Sequence, residues 1–130
     1  MKPRLILADD HTLLLDAFES LLEADFDVVA KVPDGLALLE AAEREHPDGV
    51  VLDIVMPRLN GLDAARRLRR EQPDVRIVFL TMLDDPEIAA EAARLGDCGY
   101  VLKQSACSEL VATLHRVLGR RSYFTPLSAS

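Results

Sequence analysis

The stretch that most constrains this chain is Val50-Val51-Leu52-Asp53-Ile54-Val55-Met56-Pro57. Its opening residues are apolar without alternation, so neither face of a strand made from them can be left in water. That pattern suits a central strand covered on both sides. Asp53 then falls where the strand leaves the sheet. Open parallel sheets bind ligands in the crevice beyond the carboxyl ends of their strands, so a carboxylate at that place is a candidate for chemistry.

The same grammar recurs. Leu5-Ile6-Leu7-Ala8 is closed by Asp9-Asp10, Arg76-Ile77-Val78-Phe79-Leu80 by Thr81, and Gly99-Tyr100-Val101-Leu102 by Lys103. Between the runs lie segments of helical period. Leu14, Ala17, Phe18 and Leu21 define the inner face of a first helix over about Thr12 to Glu23. Asp27 to Val32 reads as a further strand. Asp34 is a candidate N-cap for a helix running to about Glu45, and Asn60 for one that turns Gly61, Ala64, Ala65 and Leu68 inward. Asp84-Asp85-Pro86 opens a helix with Ile88, Ala92 and Leu95 on its inner face and Gly96 at its end. Ser105 is the expected cap of a last helix with a buried stripe of Leu110, Leu114 and Val117, stopped at Gly119.

Strand and helix therefore alternate five times with short connections, which implies a parallel sheet with helices on both faces. The expected fold is α/β: a single doubly wound (βα)5 domain of flavodoxin-like type, strand order 2-1-3-4-5. That order sets the first and third strands side by side and brings Asp9, Asp10 and Asp53 together. Lys103 and Thr81 join them at the same edge.

Three converging carboxylates repel one another. The cluster makes sense around a hard divalent cation, and Mg²⁺ favours carboxylate oxygens with its remaining positions left to water or phosphate. A carboxylate beside Mg²⁺ and an ammonium group can attack a phosphoryl donor, because fixed cations stabilise the charge on the transferred oxygens. Thr81 can then offer its hydroxyl to a phosphate oxygen. Taken singly, each of these residues has a plain structural explanation as a cap, a turn residue or a surface charge. Their joint occurrence on successive strand ends favours the chemical one.

Composition excludes other classes. The net charge of −7 over 130 residues argues against a nucleic-acid-binding surface, which rewards basic patches. Cys98 and Cys107 have no metal or redox spacing and read as reduced thiols of a cytoplasmic protein. No signal peptide and no membrane span is expected. Arg66, Arg67, Arg69 and Arg70 read as a solvated helix face. His11, His46 and His115 fall in different elements and are not expected to form a metal set.

From Lys2 to about Gly119 the chain resembles the receiver domain of bacterial two-component response regulators. The resemblance rests on Asp9-Asp10, on Asp53 followed by Met56-Pro57 and Asn60-Gly61, on Thr81, and on Tyr100-Val101-Leu102-Lys103. Ala8-Asp9-Asp10-His11, Leu59-Asn60-Gly61-Leu62-Asp63-Ala64-Ala65 and Leu80-Thr81-Met82 are similar to the NarL/FixJ (LuxR-type) subfamily. The resemblance implies that Asp53 is the phosphoacceptor and that a sensor histidine kinase is the donor. It further implies Asp9, Asp10, Asp53 and the Val55 backbone carbonyl as Mg²⁺ ligands, Lys103 as the phosphate holder, and Thr81 with Tyr100 as a switch pair; a half-buried tyrosine packing a strand end accounts for Tyr100 as well. Such domains form homodimers on phosphorylation or control a helix-turn-helix DNA-binding domain, which is absent from this chain. They catalyse their own phosphorylation and are not enzymes with turnover on an outside substrate. Residues 1–120 are then the receiver and 121–130 a tail or the start of a linker.

Three departures stand out. Gln104 replaces a proline common after the lysine, and a trans peptide is expected there. Val55 and Leu83 are both apolar, which predicts a long-lived aspartyl phosphate. Asp97 and Cys98 stand where smaller residues are usual. The competing reading, a Mg²⁺-dependent phosphohydrolase, needs a second acid and a substrate cap, and no insertion of that size is present.

Overall fold

The computed structural model describes residues 1–122, with side chains through residue 119. Its elements are β1 (Arg4–Ala8), α1 (Thr12–Leu22), β2 (Asp27–Val32), α2 (Gly35–Glu45), β3 (Gly49–Leu52), α3 (Gly61–Glu71), β4 (Arg76–Thr81), α4 (Pro86–Ala93), β5 (Cys98–Leu102) and α5 (Ala106–Ser122). The five strands are parallel in the order β2-β1-β3-β4-β5, the flavodoxin-like order expected from the alternation.

Both faces of the sheet are buried. Ile6, Ala8, Val50, Leu52, Ile77 and Phe79 pack with α2, α3 and α4. Leu5, Leu7, Val51, Val78 and Leu80 point the other way, against α1 and α5. All four residues of β3 are buried, which is why its sequence carries no polar alternation. Full burial of each large apolar side chain contributes roughly 1.5–3 kcal/mol, so the strands form a rigid platform for whatever hangs from their ends.

The caps follow side-chain chemistry. The Asp34 carboxylate accepts the Ala37 N–H at 2.8 Å, Asn60 accepts that of Asp63 at 3.0 Å, and Asp85 that of Glu87 at 2.9 Å. Ser105 differs from expectation. It ends a short 3₁₀ turn, Lys103–Ser105, and its carbonyl accepts the Ser108 hydroxyl.

Three further expectations are corrected. The inner face of α1 is set by Leu15 and Leu22, with Phe18 and Leu21 half-buried, while Ala17 is exposed. Leu13-Leu14-Leu15 is an unbroken apolar run, so periodicity alone could not fix the rotation; packing against α5 does. Helix α4 stops at Ala93, before Gly96, because the chain turns through left-handed Gly96 (φ +71°) and Asp97 (φ +49°). Helix α5 continues through Gly119 to Ser122. An interior glycine costs a helix about 0.5–1 kcal/mol relative to alanine, too little to end one anchored by buried Leu110, Leu114, Val117 and Leu118. Of the expected tail, residues 123–130 lie outside the described residues.

Candidate functional site

The register of the sheet assembles the site. Ala8 pairs with Leu52, Leu52 with Phe79, and Thr81 with Leu102. The residues one step past these strand ends, Asp9, Asp53 and Lys103, therefore leave at the edge where Thr81 sits. The Asp53 N–H donates to the Ala8 carbonyl at 3.0 Å and the Asp9 N–H to that of Val32, also at 3.0 Å, so neither acid lies on a loose loop. Gly61 closes the far side. A Cβ on it would come 2.0 Å from the Asp53 carbonyl oxygen, and its N–H donates to the Ile54 carbonyl at 2.7 Å. Only glycine lets α3 begin this close to the strand end.

Within the pocket, Lys103 Nζ stands 2.6 Å from Asp9 Oδ2 and 2.8 Å from Asp53 Oδ2. All three side chains are at most 8% exposed. The remaining Asp53 oxygen, Oδ1, accepts the Ile54 N–H at 2.7 Å and a longer bond from Val55 N–H at 3.4 Å. Burial by itself lowers the Lys103 pKa, but the hydrogen bonds and charges of Asp53 and Asp9 outweigh it and hold the ammonium above its ordinary value. One ligand atom from each of Asp9, Asp10, His11 and Asp53 lies within 4.8 Å of the others. Three carboxylates against one ammonium leave a formal charge of two negatives, which one divalent cation neutralises. The donors are hard oxygens on two adjacent strand ends, the set Mg²⁺ takes, so the residues present fit that ion.

Thr81 and Tyr100 meet at one residue. Thr81, fully buried, accepts the Leu83 N–H on its hydroxyl at 3.2 Å. The Tyr100 hydroxyl donates to the Leu83 carbonyl at 2.6 Å, and its ring lies tilted against Phe79 with centroids 6.5 Å apart. Burial, reinforced by the charges of Asp84, Asp85 and Asp53, raises the Tyr100 pKa, so the phenol stays a donor. Val55 sits 60% exposed on the loop beyond Asp53.

Two features were missed in the sequence. His11 belongs to the acidic cluster, with Nδ1 3.1 Å from Asp9 Oδ1 and 3.4 Å from Asp10 Oδ1; its adjacency to Asp10 was the available signal. Arg69 is no solvated arginine. Its guanidinium donates to the carbonyls of Leu95, Gly96 and Asp97 and so braces the turn between α4 and β5 from α3. Arg76 pairs with the Asp97 carboxylate at 3.3 Å. Asp97 thus has a reason to differ from a small residue: it takes a left-handed turn position that aspartate tolerates and anchors an arginine. The Cys98 thiol donates to the Ala92 carbonyl at 3.1 Å, and burial pushes its pKa up. The Lys103–Gln104 peptide is trans, as expected.

A family model described as the response regulator receiver domain matches residues 5–115. The chain belongs to that family, whose members are signalling domains and not turnover enzymes. It is 32% identical over 127 residues to the transcriptional regulatory protein DegU of Brevibacillus brevis, covering 96% of this chain and 54% of that protein. To MctR of Rhizobium johnstonii it is 36% identical, covering 95% of this chain and 59% of the relative. The chain thus spans little more than half the length of these transcriptional regulators. Among solved structures, a LuxR-family response regulator from Aurantimonas superposes with a TM-score of 0.87 at 30% identity, covering 99% and 94% of the two chains. The isolated receiver domain of RcsB from Salmonella enterica, with phosphomimetic BeF₃⁻, gives 0.84 at 30% identity, covering 98% and 96%. No helix among the described residues is long and apolar enough to cross a membrane.

Proposed function

We propose that this domain is a phosphorylation switch in which Asp53 accepts a phosphoryl group from a phosphohistidine of a sensor kinase. The observation that carries this is the state of Asp53: a buried carboxylate at a strand end, one oxygen on Lys103 and the other on backbone N–H groups, inside a pocket two charges short of neutrality. A carboxylate so held is aimed and stripped of most of its water, which favours attack. An Asp53 oxygen forms the O–P bond as the P–N bond to the donor imidazole breaks, and the leaving nitrogen takes up a proton. Asp9, Asp10, Asp53 and the Val55 carbonyl would hold Mg²⁺, which when bound would supply charge neutralisation for the transferred oxygens. Lys103 keeps a second cation beside them. Thr81 turns its hydroxyl from the Leu83 N–H to a phosphate oxygen, and Tyr100, bound to the same residue, moves with it.

The readout is a shift in population of the α4–β5–α5 surface. That surface controls dimerisation or a DNA-binding domain in a longer protein, with residues 1–120 as the receiver and the following residues as its connection. The lengths of DegU and MctR support this, as does the 28% identical RcsB, solved with DNA. A cytoplasmic location follows from a kinase-coupled regulator.

Incubation with acetyl phosphate and Mg²⁺ followed by intact-mass measurement tests the assignment. One phosphate-sized adduct is expected, absent in Asp53→Asn. An adduct that persists in Asp53→Asn, or many equivalents of free phosphate released per protein, would overturn it.

A further inference from the structure

We infer that His11 is a nitrogen ligand at the acidic pocket, so that the pocket prefers a borderline first-row cation of the imidazole-binding class over Mg²⁺. The inference rests on the receiver reading of that pocket. Its ground is the position of the ring. His11 is the N-cap residue of α1, yet its side chain makes no capping bond; its backbone N–H is instead held by Asp9 Oδ1 at 2.9 Å. The ring turns to the pocket instead: Nδ1 stands 3.1 Å from one carboxylate oxygen of Asp9 and 3.4 Å from one of Asp10. With the ring proton on Nε2, at the exposed side, Nδ1 presents a lone pair to the spot those oxygens surround. One nitrogen of the ring joins Asp9, Asp10 and Asp53 in a ligand set spanning no more than 4.8 Å.

The other two histidines have different occupations. His115 Nε2 stands 2.6 Å from Asp25, with its ring against Phe26. His46 ends α2 in a left-handed conformation. Among the described residues, His11 is the histidine whose ring meets the carboxylates of the pocket.

The consequence is one of selectivity. Mg²⁺ is hard and takes oxygen, whereas imidazole suits Fe²⁺, Ni²⁺, Cu²⁺ and Zn²⁺. A pocket of three carboxylates binds either kind of ion. Adding a nitrogen raises affinity for the second kind and leaves Mg²⁺ where it was.

Calorimetric titration of the whole protein with MgCl₂ alone and NiCl₂ alone, with His11→Ala and His11→Gln beside it, tests this. Position 11 is exposed and uncapped, so both variants keep the fold. The expected result is a loss of Ni²⁺ affinity of about 10–100-fold in both, with Mg²⁺ affinity moving less than twofold, and Ni²⁺ displaced from the unsubstituted protein by excess Mg²⁺. Ni²⁺ and Mg²⁺ affinities that change in step, or a Gln variant that binds Ni²⁺ as well as the original, would overturn it, since the ring would then act only through its hydrogen bond. Absence of Mg²⁺ binding in the unsubstituted protein would bring down the pocket reading itself, and this inference with it.

Discussion

Replacing Lys103 with alanine leaves two buried carboxylates facing each other. In the intact protein the ammonium bonds both, at 2.6 and 2.8 Å, with every partner side chain at most 8% exposed. Breaking a buried ion pair by removing one member costs about 3–5 kcal/mol, because the surviving charge is left uncompensated. The lower end applies here: Asp9 keeps the His11 N–H and Asp53 keeps the Ile54 N–H. A loss of about 3 kcal/mol at an m-value of about 1–3 kcal/mol/M lowers the urea midpoint by roughly 1–3 M, read by far-ultraviolet circular dichroism. Mg²⁺ then restores stability more strongly in the variant than in the parent, since in the variant it is the only counter-charge, and Asp53→Asn in the Lys103→Ala background recovers part of the loss. A variant as stable as the parent, or an equal Mg²⁺ increment in both, would refute the account. The pH dependence has a fixed sign. The folded Lys103 pKa is raised, so its contribution is complete below the unfolded value of about 10.4. It disappears as pH climbs through the folded value. The parent therefore loses more stability than Lys103→Ala on alkaline titration.

Gly61→Ala forces a Cβ to within 2.0 Å of a backbone oxygen; overpacking of this kind costs about 1–3 kcal/mol, and acetyl phosphate labelling of Asp53 slows because its strand end is displaced. Arg69→Ala releases the three carbonyls of the turn after α4, so amide exchange over residues 86–97 accelerates while α5 is unchanged; equal protection in both proteins would refute the bracing role. Val55, 60% exposed beside the pocket, and half-buried Leu83 give a hydrolytic water no polar anchor, so the aspartyl phosphate lasts minutes or longer after removal of donor and shortens severalfold in Val55→Glu; decay within seconds in the parent would sink this.

The legible part of this protein was its strand ends. An apolar run closed by a polar residue marks both a strand and its carboxyl edge, so Asp9, Asp53, Thr81 and Lys103 could be placed together before any coordinates. Caps were legible where the capping side chain bonds its own helix, as at Asp34, Asn60 and Asp85. What stayed hidden depends on distant partners. Arg69 reads as one more arginine in a charged helix until β5 is known to begin with a left-handed turn beneath it. The rotation of α1 is decided by α5, nearly a hundred residues away. His11 was discounted because three histidines in separate elements look unrelated, when its relevant neighbours were the two residues before it.

Leu83 carries one more lesson. Its amide and its carbonyl are gripped from opposite directions by the hydroxyls of Thr81 and Tyr100, so a single link of main chain serves as a coupling rod between strands β4 and β5. The identity of its side chain matters little to that linkage, whereas proline there would delete the amide hydrogen and break the Thr81 side of the link.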